Sequence, residues 1–123
     1  MCVQSGLRRG GIYQLKKSIH PSTQTYFLLM TTQPNSRGLA WFAKVTVLKT
    51  QTFVPGCNAG HPFFILNPYR IFASDPTYLT ALEFQSRVHA TPKNTLTSQN
   101  VDDIANCIIY HGHISSEYEQ YLF

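Results

Sequence analysis

The residues with chemical potential in this 123-residue chain fall into two groups. The first is a set of cations interleaved with aromatics: Lys16, Lys17, Arg37 and Lys44 lie close in sequence to Tyr13, Trp41 and Phe42. Bases stack on aromatic rings while cations track phosphates, so this mixture suits single-stranded nucleic acid. Arg8, Arg9 and Lys49 extend the basic set. An aromatic on a strand more often fills a core, and that reading competes for Trp41 and most of the phenylalanines. The second group pairs cysteine with histidine. Cys57-x-x-x-His61 and Cys107-x-x-x-His111 each offer two metal ligands, with His113 as a spare. Zinc pairs usually form tighter knuckles, however, and Cys107 reads equally well as a small buried residue. No metal or other cofactor is therefore assigned. The carboxylates form no convincing pair, and no phosphate-binding glycine loop or nucleophile elbow is present.

Charge is distributed unevenly. Residues 1–74 hold eight Lys and Arg and no Asp or Glu, giving +8; residues 75–123 hold two cations and six acids, giving −4, and the two sum to +4. A basic field without carboxylates attracts polyanions. Charged residues are 13% of the chain, about half the usual share, and apolar residues are 43%, enough for one core. No run approaches the roughly 20 apolar residues of a membrane helix, and the first residues lack the apolar centre of a signal peptide. The three cysteines, Cys2, Cys57 and Cys107, form an odd and low count. That pattern predicts free thiols and a cytoplasmic location without membrane attachment.

These groups must be positioned by a β-rich domain spanning residues 1–123. Residues 1–9 read as a flexible lead-in, and Ile12–Leu15 as a short strand. Thr25–Thr32 is the best buried strand; a polar turn at 33–38 joins it to Leu39–Leu48, as a hairpin. In the second of these, Trp41, Ala43, Val45 and Val47 share one face, and Phe42, Lys44, Thr46 and Leu48 the other. Residues 55–62 form a loop, Phe63–Leu66 a short buried strand, and Tyr69–Phe72 another. Residues 79–89 fit a strand or a helix, and the alternation of Leu82, Phe84, Ser86 and Val88 with polar residues favours the strand. A C-terminal helix over 98–111 follows from Val101, Ile104, Ala105 and Ile108. Ser98 or Asn100 caps its start, Asp102 and Asp103 suit its first turn, and Gly112 ends it. Residues 115–123 form an aromatic, acidic tail, read as a short helix or an extended arm. The fold class is mainly β, a small barrel or curled antiparallel sheet with one C-terminal helix.

Several segments occur in a familiar order. Arg9-Gly10-Gly11-Ile12-Tyr13 opens the domain, Tyr26–Thr31 is an apolar strand ending in hydroxyl residues, Lys44–Thr50 is a strand ending in Thr, and Leu82–Val88 carries Gln85 before a polar turn and a final helix. Over roughly residues 9–110 this order resembles the PemK/MazF family of toxin ribonucleases from toxin–antitoxin pairs. Gly11 stands where that family has an acidic residue, and Gln24-Thr25 where it has Arg-Pro. The resemblance implies an SH3-like barrel, a homodimer, an antitoxin partner and metal-independent endoribonuclease activity on single-stranded RNA. Such cleavage needs a proton acceptor and a cation fixed at the phosphate. Thr50 would then orient the phosphate and Arg87 clamp it, while His89, on the same strand face as Arg87, acts as base or acid. The alternative is a non-catalytic phage- or plasmid-type protein that binds nucleic acid or blocks a nucleic-acid-binding host target. The missing arginine and the aromatic tail Tyr118–Phe123 favour that reading.

Overall fold

Residues 40–47 carry large apolar side chains on both faces of one strand, so both faces must be covered. In the computed structural model, which describes residues 9–16, 25–31, 38, 40–48, 54–74, 77–89 and 91–112, two helices do this. The order of elements is β1 (Gly11–Gln14), β2 (Thr25–Leu29), β3 (Ala40–Val47), β4 (Gly56–Cys57), β5 (Phe63–Leu66), β6 (Tyr69–Phe72), β7 (Thr77–Leu79), α1 (Ala81–Arg87), β8 (Asn94–Thr95) and α2 (Ser98–His111). The strands form one sheet in the order β4-β5-β6-β3-β2-β1-β8, with β7 also paired to β3. Every pairing is antiparallel. The expected β2–β3 hairpin is present, with Leu28 opposite Ala43 and Phe27 opposite Lys44. A short β4 lies within the segment expected to be loop.

One face of the sheet buries Ile12, Tyr26, Leu28, Trp41, Ala43, Val45, Phe64 and Ile71 against Val101, Ile104, Ala105 and Ile108 of α2. Tyr69 packs on this same side, and its hydroxyl accepts a hydrogen bond from Asn94 Nδ2 at 3.4 Å. That contact joins β6 to β8 across three intervening strands, so the sheet curls around α2 as a half-barrel. The opposite, convex face carries Tyr13, Phe27, Leu29, Phe42 and Leu79, covered in part by Phe84 and Val88. Phe42 and Phe84 stack at 4.8 Å, and Tyr13 meets Phe84 edge-on at 5.0 Å.

Local signals fix the helix ends. Thr97, rather than Ser98 or Asn100, is the N-cap and accepts the Asn100 N–H at 3.2 Å, and Gly112 closes α2 at φ +71°, a left-handed conformation that costs a side-chain-bearing residue energy. Gly10 is constrained more tightly. At φ +94° its Cβ would sit 2.8 Å from the Leu96 carbonyl oxygen, so only glycine lets the start of β1 pass beside the lead into α2.

The strand expected over residues 79–89 is instead α1 flanked by β7 and a single bridge, Leu15 opposite Val88. The cause is a reciprocal capping box: the Glu83 N–H donates to Thr80 Oγ1 at 3.2 Å, and the Thr80 N–H donates to Glu83 Oε1 at 3.1 Å. Once the turn is nucleated, Phe84 and Val88 fall on one side at i and i+4, while Leu82 is left 77% exposed. The described residues thus hold two helices where one was expected.

The Thr80 backbone N–H, followed by its side chain, holds the Glu83 carboxylate below its ordinary pKa of 4.5. A depressed carboxylate contributes stability above its unfolded-state pKa and loses it as pH falls through the folded value. Thr80→Ala should cost about 1 kcal/mol in chemical denaturation. The melting temperature of Glu83→Gln should decline less than that of the parent on acidification below pH 4.5. Equal declines would remove the linkage.

Candidate nucleic-acid interface

Alternation along the central strands aims a second set of side chains at the convex face. Val45 and Ile71 point at α2, so Lys44, Thr46, Arg70 and Phe72 point the other way. Thr46 lies directly opposite Arg70, Arg70 opposite Ile65, and Phe72 opposite Phe63. The Arg70 guanidinium sits 5.2 Å from the Phe72 ring and 5.8 Å from the Phe63 ring. The exposed His61 ring lies parallel to Phe63 at 5.7 Å. His61, Phe63, Arg70 and Phe72 therefore form a continuous run of flat groups. Beside it, Arg70 Nε and Thr46 Oγ1 are buried without a hydrogen-bond partner, although buried polar groups are ordinarily satisfied.

Cations continue from this run towards α1. Lys44 precedes Thr46 by two residues on the same face and is half-buried. At the far end of the sheet the Lys16 N–H donates to the Arg87 carbonyl at 2.8 Å, and the His89 N–H donates to the Gln14 carbonyl at 3.0 Å. This backbone pairing sets Lys16 opposite Arg87 and Gln14 opposite His89, and Lys16, Arg87 and His89 are all exposed. Lys16 Nζ also donates to the Gln85 carbonyl at 3.1 Å. Three strand spacings separate β1 from β6, about 14 Å, so Lys16 and Arg87 lie within a few nucleotides' reach of Arg70. The described acids are Glu83, Asp102 and Asp103. Of these, only Glu83 belongs to the helix on the convex face, where its carboxylate is engaged by Thr80.

The residues expected to bind nucleic acid divide sharply. Lys44 lies on this surface, and Lys16 stands at its rim, where Nζ reaches the Gln85 carbonyl of α1. Arg9 does not: its side chain is 12% exposed, pairs with Asp102 at 2.9 Å and donates from Nε to the Met30 carbonyl at 2.9 Å. It ties β1 to α2. Trp41 is 1% exposed and Tyr13 fully buried, so neither can stack on a base; both are core because their strand faces lie under helices. Arg8, Lys17, Arg37, Lys49 and Thr50 lie outside the described residues. Arg87 and His89 are close, yet not on one strand face, because Arg87 ends α1 whereas His89 is extended. Sequence reasoning passed over Arg70, Phe63, Phe72 and Thr46. The alternation of Arg70 and Phe72 on a strand, facing Phe63 across a two-residue turn, was the available signal.

The cysteines overturn another expectation. Cys57 and Cys107 form a disulfide across a sequence separation of 50, with Cα atoms 5.5 Å apart. It fastens the sheet-edge strand β4 to α2, so these two cysteines are not the free thiols expected of a reducing compartment. Cys2 is not among the described residues. His61, grouped with these cysteines by sequence spacing, turns to Phe63 instead. Among the described residues, no helix is long and apolar enough to cross a membrane.

No protein-family model, curated protein or solved structure matches the chain. Its function is therefore read from its own residues.

Closing a loop of 50 residues restricts the unfolded chain by roughly 4 kcal/mol in the chain-entropy model. Cys57→Ser with Cys107→Ser should lower unfolding free energy by an amount approaching this, measured in urea. No loss would show that the β4–α2 link carries no stability.

Proposed function

We propose that the protein binds single-stranded RNA across the convex face of its sheet. The carrying observation is the His61–Phe63–Arg70–Phe72 run. Unpaired bases stack on such rings, and the Arg70 guanidinium adds a cation among them. Lys44, Lys16 and Arg87 then follow the backbone. The resemblance to PemK/MazF ribonucleases supports RNA over DNA.

Binding without cleavage is the reading this geometry supports best. Cleavage needs a base and a cation held rigidly at one phosphate, whereas Arg87 and His89 are solvent-exposed and belong to different local structures. A toxin-like role under control of a protein partner remains compatible with a binding surface that occludes RNA.

The test is binding of a labelled, mixed-sequence single-stranded RNA over a series of salt concentrations. The triple variant Lys16→Gln, Lys44→Gln, Arg87→Gln should reduce the slope of log K against log salt by about 2, at about 0.7 per single-strand phosphate. Phe63→Leu should weaken binding by about 1–3 kcal/mol with little change in slope. An unchanged slope and affinity in both proteins would contradict the proposal. The same RNA on a denaturing gel with EDTA should stay intact; discrete fragments lost in Arg87→Ala would establish cleavage instead.

A further inference from the structure

The disulfide has a third neighbour. Ligating atoms of Cys57, Cys107 and His111 all lie within 4.8 Å of one another. Cys107 and His111 are four residues apart on α2 and so share one face, while β4 brings Cys57 against them. His111 Nε2 lies 2.8 Å from the Asn58 carbonyl oxygen. A carbonyl only accepts, so Nε2 carries the proton and Nδ1 of the neutral ring keeps its lone pair. Metal-binding histidines commonly donate from one ring nitrogen to a carbonyl while the other ligates, and His111 has the carbonyl half of that arrangement. An open groove of about 510 Å³, lined by Cys57, Ala59, Asp103, Asn106, Cys107 and Tyr110, gives solvent access to the sulfurs.

We infer that this cluster is a redox-gated zinc site: reduction of Cys57–Cys107 creates a two-cysteine, one-histidine site for Zn²⁺ whose fourth position opens on the groove. A dithiol or phosphine reductant delivers two electrons to the disulfide and is itself oxidised; the S–S bond breaks and two protons complete the thiols. Zn²⁺ then displaces those two protons, so two thiolates, one neutral imidazole and the dication form a site with no net charge. Tetrahedral zinc with Zn–S bonds of about 2.3 Å places its sulfurs about 3.8 Å apart. Side-chain rotation at Cys57 and Cys107 supplies that separation while β4 stays against α2. The disulfide and the metal therefore substitute for one another as the same structural link, and they exclude each other because a sulfur in a disulfide is no longer a thiolate. The site lies at the β4 edge on the α2 side, and Asn58 joins it to the convex run, its carbonyl facing His111 and its Oδ1 accepting the His61 N–H.

The experiment uses the full chain carrying Cys2→Ser, so that the thiols in play are Cys57 and Cys107. The reduced protein is titrated with Co²⁺ as a spectroscopic probe and then with Zn²⁺. One equivalent of Co²⁺ should give thiolate charge-transfer absorption and the intense visible bands of a tetrahedral ion, both abolished by Zn²⁺. The oxidised protein should give neither, and His111→Gln should weaken Co²⁺ binding more than tenfold. Absent bands in the reduced protein, bands that persist after oxidation, or bands indifferent to His111→Gln would overturn the inference. Far-UV circular dichroism covers the case in which reduction unfolds the chain: recovery of the native spectrum on adding Zn²⁺ supports the site, and failure to recover counts against it.

Discussion

The two-sided burial of β3 is the constraint on which the rest of the structure depends. Trp41, Ala43 and Val45 face one way and Phe42 the other, all at 1% exposure or less. A strand apolar on both faces is stable only in the middle of a sheet with a layer on each side. β3 accordingly pairs with β2 on one edge and with both β6 and β7 on the other. One covering layer is α2, long enough to fill the concave side. The other is α1, a helix of seven residues, too short to span the convex face. Beyond the described contacts of α1, Lys44, Thr46, Arg70, Phe63 and Phe72 lie on this face, each half-buried. The candidate surface is thus the remainder of a packing problem, and its mixture of cations and rings is a matter of sequence rather than of fold.

Much of this frame was legible because its signals are local. Alternation in residues 40–47, helical spacing in residues 98–111 and Gly112 at the helix exit each sit within one element. The same locality explains the error over residues 79–89. Leu82, Phe84, Ser86 and Val88 alternate as a strand would, but Thr80 and Glu83 form a capping box, and the reciprocal hydrogen bonds of that box outweigh an alternation in which Leu82 finds no core to enter. Val88 serves both patterns, packing with Phe84 and bridging to Leu15.

The candidate site was less legible because its contacts are long-range. Arg9 looked like a free cation, but its partner Asp102 lies 93 residues away. Trp41 looked like a stacking residue beside cations, but strand pairing turns it under α2. Arg70 gained meaning only when the β5–β6 pairing brought Phe63 beside it. The disulfide has the same character. Cys57 sits in a glycine-rich loop and Cys107 on a helix, and nothing in the spacing of either shows that β4 closes on α2. His111 was visible beside Cys107 at helical spacing, and the fold removed His61 from that group while adding the Asn58 carbonyl.

The chain therefore presents two distinct regions on opposite sides of one curled sheet: a convex run of rings and cations, and a sulfur–imidazole cluster at the β4 edge. The first is the basis of the functional account, and photocrosslinking tests it most directly. Single-stranded RNA bound to the full protein is irradiated and the attached peptides are mapped by mass spectrometry. The account predicts attachment at Phe63, Phe72 or His61. Attachment confined to α2, or none at RNA concentrations that saturate binding, would contradict it.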